Sequence, residues 1–537
     1  MSVRPIASWE QVLRQPARPV PWYVWPLALG AAVLGGVLIA DPKTAFLLAA
    51  GLGGLMAVRA ILARPICGFL LALCLFPEYT FLRGVCELYH LPLPLTLVGM
   101  WPEVVLVLMG VSLIVTGIRT GVRLRLNRFD LPVVLLIASG LYGMVLSAIE
   151  GDARATMYGV HTTLTPLCFY LLARWLHQRP EDLPRILRYW LVGFCLLAIA
   201  SIYDFLFRPD FVIRVAIVVR EQFWGNFEPH TFFRWYPRMQ SLLFAEQNWG
   251  TLCGLVGLFC MARIGQPALP DPRDRVGRRA LWAVFLLALF GLIFSMSRGA
   301  HICWIVACVV LFGFRGGHRR ILAIGLALGL LTLLVAFSFF GTAERVNWLV
   351  TRTTSLADSK SDLAYGRVSQ WTRALSAFPL FPAGRGLGRV GGSAMYHGTG
   401  DGFDFVADGG YFKILGEQGL PGIILFLSGA GGLIVVLVTI ARHQSAVGPP
   451  RTRIEADDRA LTYTVLPFFC GLLVQNIGGN IFDAYFLGQL FWLLAGLVVG
   501  RYVQGGLSLV RADLHGKIGP ARALPSGRAS ATDARTF

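Results

Sequence analysis

Arginines carry most of the chemistry this sequence can offer. Arg298 stands in FSMSRGAHIC at the joint of two apolar runs, with Ser297 and Gly299 on either side. Arg234 and Arg238 lie four apart in RWYPRMQSLLFAEQNWG, on one face if that segment is helical, and Glu246, Gln247 and Asn248 follow. Arg367, Arg373, Arg385 and Arg389 are spread through AYGRVSQWTRALSAFPLFPAGRGLGRVGG, the last two in a glycine-rich turn whose backbone N–H groups could approach an anion closely. Guanidinium groups grip phosphate oxygens bidentately, so several arginines facing one compartment look like a phosphate site.

Each group also has a plainer reading. Arg298 could be a helix-end arginine that snorkels to the interface. The runs on both sides of it are short, which places the joint below the interface, where a charge is costly unless paired or wetted. With small neighbours leaving room for a ligand, function is favoured there. For Arg234 and Arg238 an interfacial anchor role, with Glu246 as salt-bridge partner, fits equally well. Arg373 and Arg389 are not separable from Arg367 and Arg385 at this level.

The acid candidates lie in ADGGYFKILGEQGLPG. Asp408 sits where an N-cap would sit. Glu417 is nine residues on, about 180° around an unbroken helix, so the two cannot share a site. A surface ion pair with Lys413, four residues before it, accounts for Glu417. Asp408 is therefore the better catalytic candidate. His90, His230 and His397 have no ligand spacing with another His, Cys or carboxylate, so no metal is expected. There is no Asp-x-Asp pair, P-loop or dinucleotide fingerprint, and no cofactor is implied.

The elements that must position these residues are membrane helices. Hydrophobic residues make up 55% of the 537 and charged residues 15%, far below the roughly one quarter of a soluble protein. The +18 charge is not a nucleic-acid footprint, because no basic block carries stacking aromatics. The ten cysteines form no CxxC pair and lie mostly in apolar runs, which excludes a zinc site or disulfide framework. Candidate spans are 22–40, 44–62, 65–77 (the weakest), 93–117, 129–149, 156–174, 187–207, 241–262, 281–297, 300–314, 321–341, 420–441, 461–478 and 484–500. The expected fold is an all-α polytopic membrane protein of about 12–14 transmembrane helices.

Charge then orients the chain. Arg4, Arg14 and Arg18; Arg119 to Arg128; Arg273 to Arg279; Arg315 to Arg320; Arg442 to Arg459; and the tail from Arg501 all fall on one side of an alternating count, the expected cytoplasmic side. The organisation is then a cytoplasmic segment 1–21, a transmembrane region 22–341, a long periplasmic loop 342–410, a second transmembrane region 411–504 and a disordered cytoplasmic tail 505–537. Within the long loop, Tyr365, Val368, Trp371, Leu375 and Phe378 have the spacing of a short amphipathic helix. Two mid-sized segments, 78–92 and 208–240, share its side.

The chain resembles the O-antigen ligase and O-antigen polymerase superfamily of bacterial inner-membrane glycan enzymes. The resemblance rests on Arg238 with Asn248 ten residues on, on SRGA at Ser297 to Ala300, on Arg367 and Trp371 ahead of FPLFPAGRGLG, and on DGGYFKILGEQGLPG with Tyr411. It implies a metal-independent glycosyltransferase in the inner membrane, both termini cytoplasmic and the active site periplasmic. The donor would be a glycan on undecaprenyl diphosphate, the acceptor a glycan or lipid, and other polysaccharide assembly proteins would be partners. Arg238 and Arg298 would bind the diphosphate with Arg367 or Arg385 assisting, Arg298 and Asp408 would be catalytic, and Arg234, Asn248, Trp371 and Tyr411 would support them. Ligases of the family usually carry a histidine where this chain has Asp408, which favours a polymerase of repeat units over a ligase. A lipid-linked oligosaccharide flippase is the competing class, but flippases lack a long arginine-bearing outer loop.

Overall fold

The structure, a computed structural model, describes residues 42–75, 79–90, 100–120, 126–176, 182–207, 211–215, 217–218, 239, 245–295, 297–314, 371–372, 375–376, 378–390, 409–483 and 485–516. The expected spans 22–40 and 321–341, and the site candidates Arg234, Arg238, Arg367, Arg373 and Asp408, lie outside these residues.

The described residues fold as helices, with no strand among them. In chain order these are α1 Pro42–Ala63, α2 Pro65–Leu75, α3 Tyr79–Leu88, α4 Trp101–Thr120, α5 Leu131–Ile149, α6 Ala153–Gly159, α7 Thr165–Trp175, α8 Asp182–Phe207, α9 Glu246–Ile264, α10 Pro272–Phe294, α11 Arg298–Phe314, α12 Gly410–Ala446, α13 Arg453–Gln475 and α14 Tyr485–Gly516. Lipid offers no hydrogen-bond partners, so an apolar run there closes its backbone bonds internally as helix. Among the described residues, six helices are long and apolar enough to cross a membrane: Trp101–Arg119, Leu131–Ile149, Asp182–Phe207, Asp274–Phe294, the long Gly410–Ala446 and Phe486–Gln504. The protein is an all-α polytopic membrane protein. Ile302, Ile305 and Val309 on α11, and Leu196, Ile199 and Leu206 on α8, are exposed apolar stripes of the kind that lipid covers.

The helices pack as α5 on α12, α7 on α14, α9 on α10, and α11 on α13, with α9 also touching α11 and α13. Glycines let backbones close up. A Cβ on Gly500 would lie 2.8 Å from the carbonyl oxygen of Arg174, and one on Gly432 would lie 3.1 Å from the ring of Pro132. Between α6 and α7 the chain makes a π turn, Val160–Leu164, just before Pro166, which has no N–H to continue the α ladder.

One end of the bundle gathers the arginine-rich ends of the helices, locked by buried and half-buried ion pairs. Arg174 Nε lies 3.0 Å from Asp130, Arg263 bridges Asp274 at 2.6 Å and Asp457 at 2.8 Å, and Arg501 lies 2.7 Å from Asp458. Arg278 donates to the carbonyls of Gln266 and Ile264 at 2.7 and 2.6 Å. These bonds carry α10 back to Pro272 through a charged first turn.

Several expectations need correction. The run before Arg298 is not short, because α10 has 23 residues, whereas α11 has 17. Span 65–77 is an 11-residue helix, about 16 Å long, well short of a bilayer core. Helix α14 continues to Gly516, so residues 505–516 are helical where a disordered tail is expected. In the long loop Trp371 and Leu375 fall on helical residues, but Phe378 opens a separate 3-10 turn, Phe378–Leu380, and Tyr365 and Val368 lie outside the described residues.

Candidate functional site

At the end opposite the ion-pair locks, the starts of α9, α11 and α12 meet the end of α13. The tip before α11 is held by its own polar groups: the N–H of Ser297 points to the Ser295 hydroxyl at 3.3 Å, and His301 Nδ1 donates to the Ser297 carbonyl at 2.6 Å. Met239, the residue after Arg238, donates its N–H to the Phe294 carbonyl at 2.9 Å. Met239 is thus joined by main chain to the end of α10, four residues before Arg298. Arg298 is the first residue of α11 and its side chain is exposed.

Gly299 faces two carboxamides. A Cβ there would lie 3.3 Å from Nε2 of Gln475 and 3.5 Å from Nε2 of Gln247, the neighbour of Asn248. Gln475 in turn donates to the Thr251 hydroxyl at 3.0 Å. One residue on, the carbonyl of Asn476 accepts the Gly410 N–H at 2.8 Å, and Asn480 Oδ1 accepts the Gly409 N–H at 3.2 Å. These bonds fix the start of α12, immediately after Asp408. Gly409 has φ 142°, and a Cβ on it would come within 2.8 Å of the Ile477 carbonyl, so a glycine is needed there. Tyr411 donates its hydroxyl to the Leu473 carbonyl at 2.7 Å, and Trp371 stacks on Phe412 with ring centroids 5.4 Å apart. Both supporting aromatics therefore brace the first turn of α12.

The glycine-rich turn does hold an anion, but an internal one. The N–H of Gly388 reaches Glu417 Oε1 at 2.8 Å and that of Val390 reaches it at 3.4 Å. Glu417 is 1% exposed and Lys413, its partner at 3.5 Å, is 3% exposed, so the expected surface ion pair is a buried one. Three more amides of the turn are also engaged: Arg385 N–H with the Gly416 carbonyl at 3.0 Å, Gly386 with the Glu417 carbonyl at 2.8 Å, and Leu387 with the Gly143 carbonyl on α5 at 3.1 Å. The reading of these amides as a cradle for an outside phosphate is corrected accordingly. Arg389 lies 2.7 Å from Glu150 and 3.9 Å from Asp152, holding the turn to the start of α6. Arg385 is buried, with its guanidinium 5.0 Å over the Phe381 ring.

Two clusters result. Arg298, through its neighbour Gly299, falls with Gln247 and Gln475 near Met239, while Arg385 falls with the turn on α5, and the first two turns of α12 run between them. Helix α12 is unbroken from Gly410 to Gln418 and kinks at Gly419 (φ 62°), after which Pro421 opens the membrane-spanning part. Sequence reasoning missed the carboxamides Gln475, Asn476 and Asn480. The signal was QNIGGN, a run of polar and small residues closing an apolar span. It also missed Glu103, in the first turn of α4, which contacts Nδ1 of His161 in the π turn.

Compared with known proteins, residues 283–427 match the family model described as O-antigen ligase. The matched segment runs from α10 through the glycine-rich turn to the kinked start of α12, and it supports the O-antigen ligase and polymerase superfamily, a family of glycan-transferring enzymes. A search of the curated proteins found no match.

Proposed function

We propose that this protein is a membrane glycosyltransferase that polymerises undecaprenyl-diphosphate-linked repeat units of an exopolysaccharide, capsule or O-antigen at the periplasmic face of the bacterial inner membrane. One observation carries the reading. Met239, which follows Arg238 in the chain, bonds to the end of the segment before SRGA, Gly299 of SRGA faces Gln475, and Gly409 and Gly410 of DGGY bond to Asn480 and Asn476, all at the end of the bundle opposite the arginine-rich end. That separation of ends supports a periplasmic site by the positive-inside rule.

The chemistry follows from the charges. Departure of a lipid diphosphate builds negative charge, and fixed cations in a site of low dielectric stabilise it strongly. Arg298 opens α11, where the first N–H groups already project positive potential. A cation there costs the helix about 0.3–1 kcal/mol and strengthens its pull on an anion. Arg298 and Arg238 would hold the diphosphate as it leaves, with Arg367 or Arg385 assisting. Asp408 would accept the proton of the attacking hydroxyl, while Asn248, Trp371 and Tyr411, with Arg234, keep the segments in register.

A second reading, transfer of the finished glycan to a lipid A-core or other acceptor, is favoured by the description of the matched family as O-antigen ligase. Glycan analysis of a deletion strain decides. Single repeat units still joined to their acceptor are the expected result. Long chains left on the lipid carrier would establish the ligase reading, and lipid-linked units trapped on the cytoplasmic face would replace both with a flippase.

A further inference from the structure

At the site end, among the described residues, two buried carboxamides have neither polar atom paired, Gln489 within the first turns of α14 and Asn476 at the end of α13, and Asn476 is the one that adjoins the start of α12. It is 1% exposed, and among the described residues neither its Oδ1 nor its Nδ2 has a hydrogen-bond partner. Leaving a buried polar group unpaired is costly, and native structures hold few such groups. Its neighbours make the position more telling. Its backbone carbonyl anchors the Gly410 N–H, its carboxamide packs on the Cα of Gly410, and Gln475 and Asn480 stand beside it in the chain.

We propose that Asn476 reads the sugar of the lipid-linked donor, a role that rests on the glycosyltransferase reading above. A carboxamide offers one acceptor and two donors. A sugar hydroxyl also donates and accepts, whereas a phosphate oxygen in an ionised diphosphate only accepts. A group built to do both therefore suits the glycan, and the arginines suit the diphosphate. Gln247 and Gln475, facing Gly299 next to Arg298, extend the same neutral hydrogen-bonding surface up to the cation. The carboxamide packs against the first turn of α12, which the bonds from Gly409 and Gly410 hold in place, and on this proposal that turn moves aside to admit the sugar. The orphaned amide thus spends its hydrogen bonds on substrate and not on the fold.

The test uses full-length protein in lipid nanodiscs and two probes, bare undecaprenyl diphosphate and undecaprenyl diphosphate carrying a repeat unit. For N476L we expect bare-carrier affinity within about twofold of wild type, sugar-loaded affinity weaker by about tenfold, and a Tm no lower than wild type, because an unpaired amide has been removed. R298A weakens both probes. If leucine prevents insertion, N476S gives the same comparison. Equal binding of both probes by wild type and variant overturns the proposal alone. So does a fall in Tm with parallel loss of both probes, which marks a purely structural residue. Wild-type protein that binds neither probe overturns this inference together with the functional reading.

Discussion

The carboxylate of Glu417 sits 2.8 Å from the backbone nitrogen of Gly388, twenty-nine residues earlier in the chain. A buried acid on a helix thereby fastens the glycine-rich turn, and Lys413 on the same helix balances its charge. Removing one partner of such a pair leaves the other buried and uncompensated. Glu417→Ala should lower stability by about 3–5 kcal/mol. Thermal denaturation in detergent measures this, and Glu417→Gln, which keeps an acceptor for the amides, should lose less.

The glycines of the turn should be as sensitive as the acid. Gly386 has φ 92°, and a Cβ there would sit 2.5 Å from the Cα of Ser147; Gly388 has φ 83° against the Ala155 carbonyl. Gly386→Ala combines left-handed strain of about 1–3 kcal/mol with a backbone clash. Faster proteolysis within 378–390 and a lower Tm are the expected readouts.

Arg298→Ala and Arg298→Lys should both abolish glycan assembly while the protein still inserts stably. Lysine keeps the charge but not the bidentate fork, so rescue by lysine would mean that only charge is needed. Normal chain length in both variants would remove Arg298 from the mechanism.

Asp408→Asn should stop transfer while leaving donor binding close to wild type, since the change removes a proton acceptor and not a phosphate ligand. Single-turnover assays alongside carrier binding separate these two effects.

At the other end of the bundle, Arg263→Ala strands Asp274 and Asp457 and should cost about 3–5 kcal/mol of stability. The specific activity of the surviving folded protein should match wild type, because this lock lies at the far end of the helices from the site.

Hydropathy made the membrane helices legible because the bilayer demands apolar side chains at depth. It did not mark where helices end. Helix α10 runs back through Arg273–Arg279 because Arg263 and the carbonyls at the end of α9 engage its first turns, and these are contacts between segments. Arg298 was legible as a site candidate because a charge between apolar runs stands out. The surface-pair reading of Glu417 failed because Lys413 at i+4 spacing gave a sufficient local account. The partners that bury it come from 388–390, and no periodicity reports them. Asn476 escaped notice because an Asn before a glycine pair looks like an ordinary turn, and only its burial distinguishes it.

The break at Gly419 turns the head of α12 into a lever. Residues Gly410–Gln418 form a rigid rod about 13 Å long. One end is tied to Asn476, and the other to the glycine-rich turn, where the Gly386 N–H donates to the Glu417 carbonyl at 2.8 Å. A rod tied at both ends cannot tilt at one without pulling at the other. Whatever seats a sugar at the first turn must therefore also load the glycine-rich turn, so occupancy of the donor site would be felt mechanically on α5.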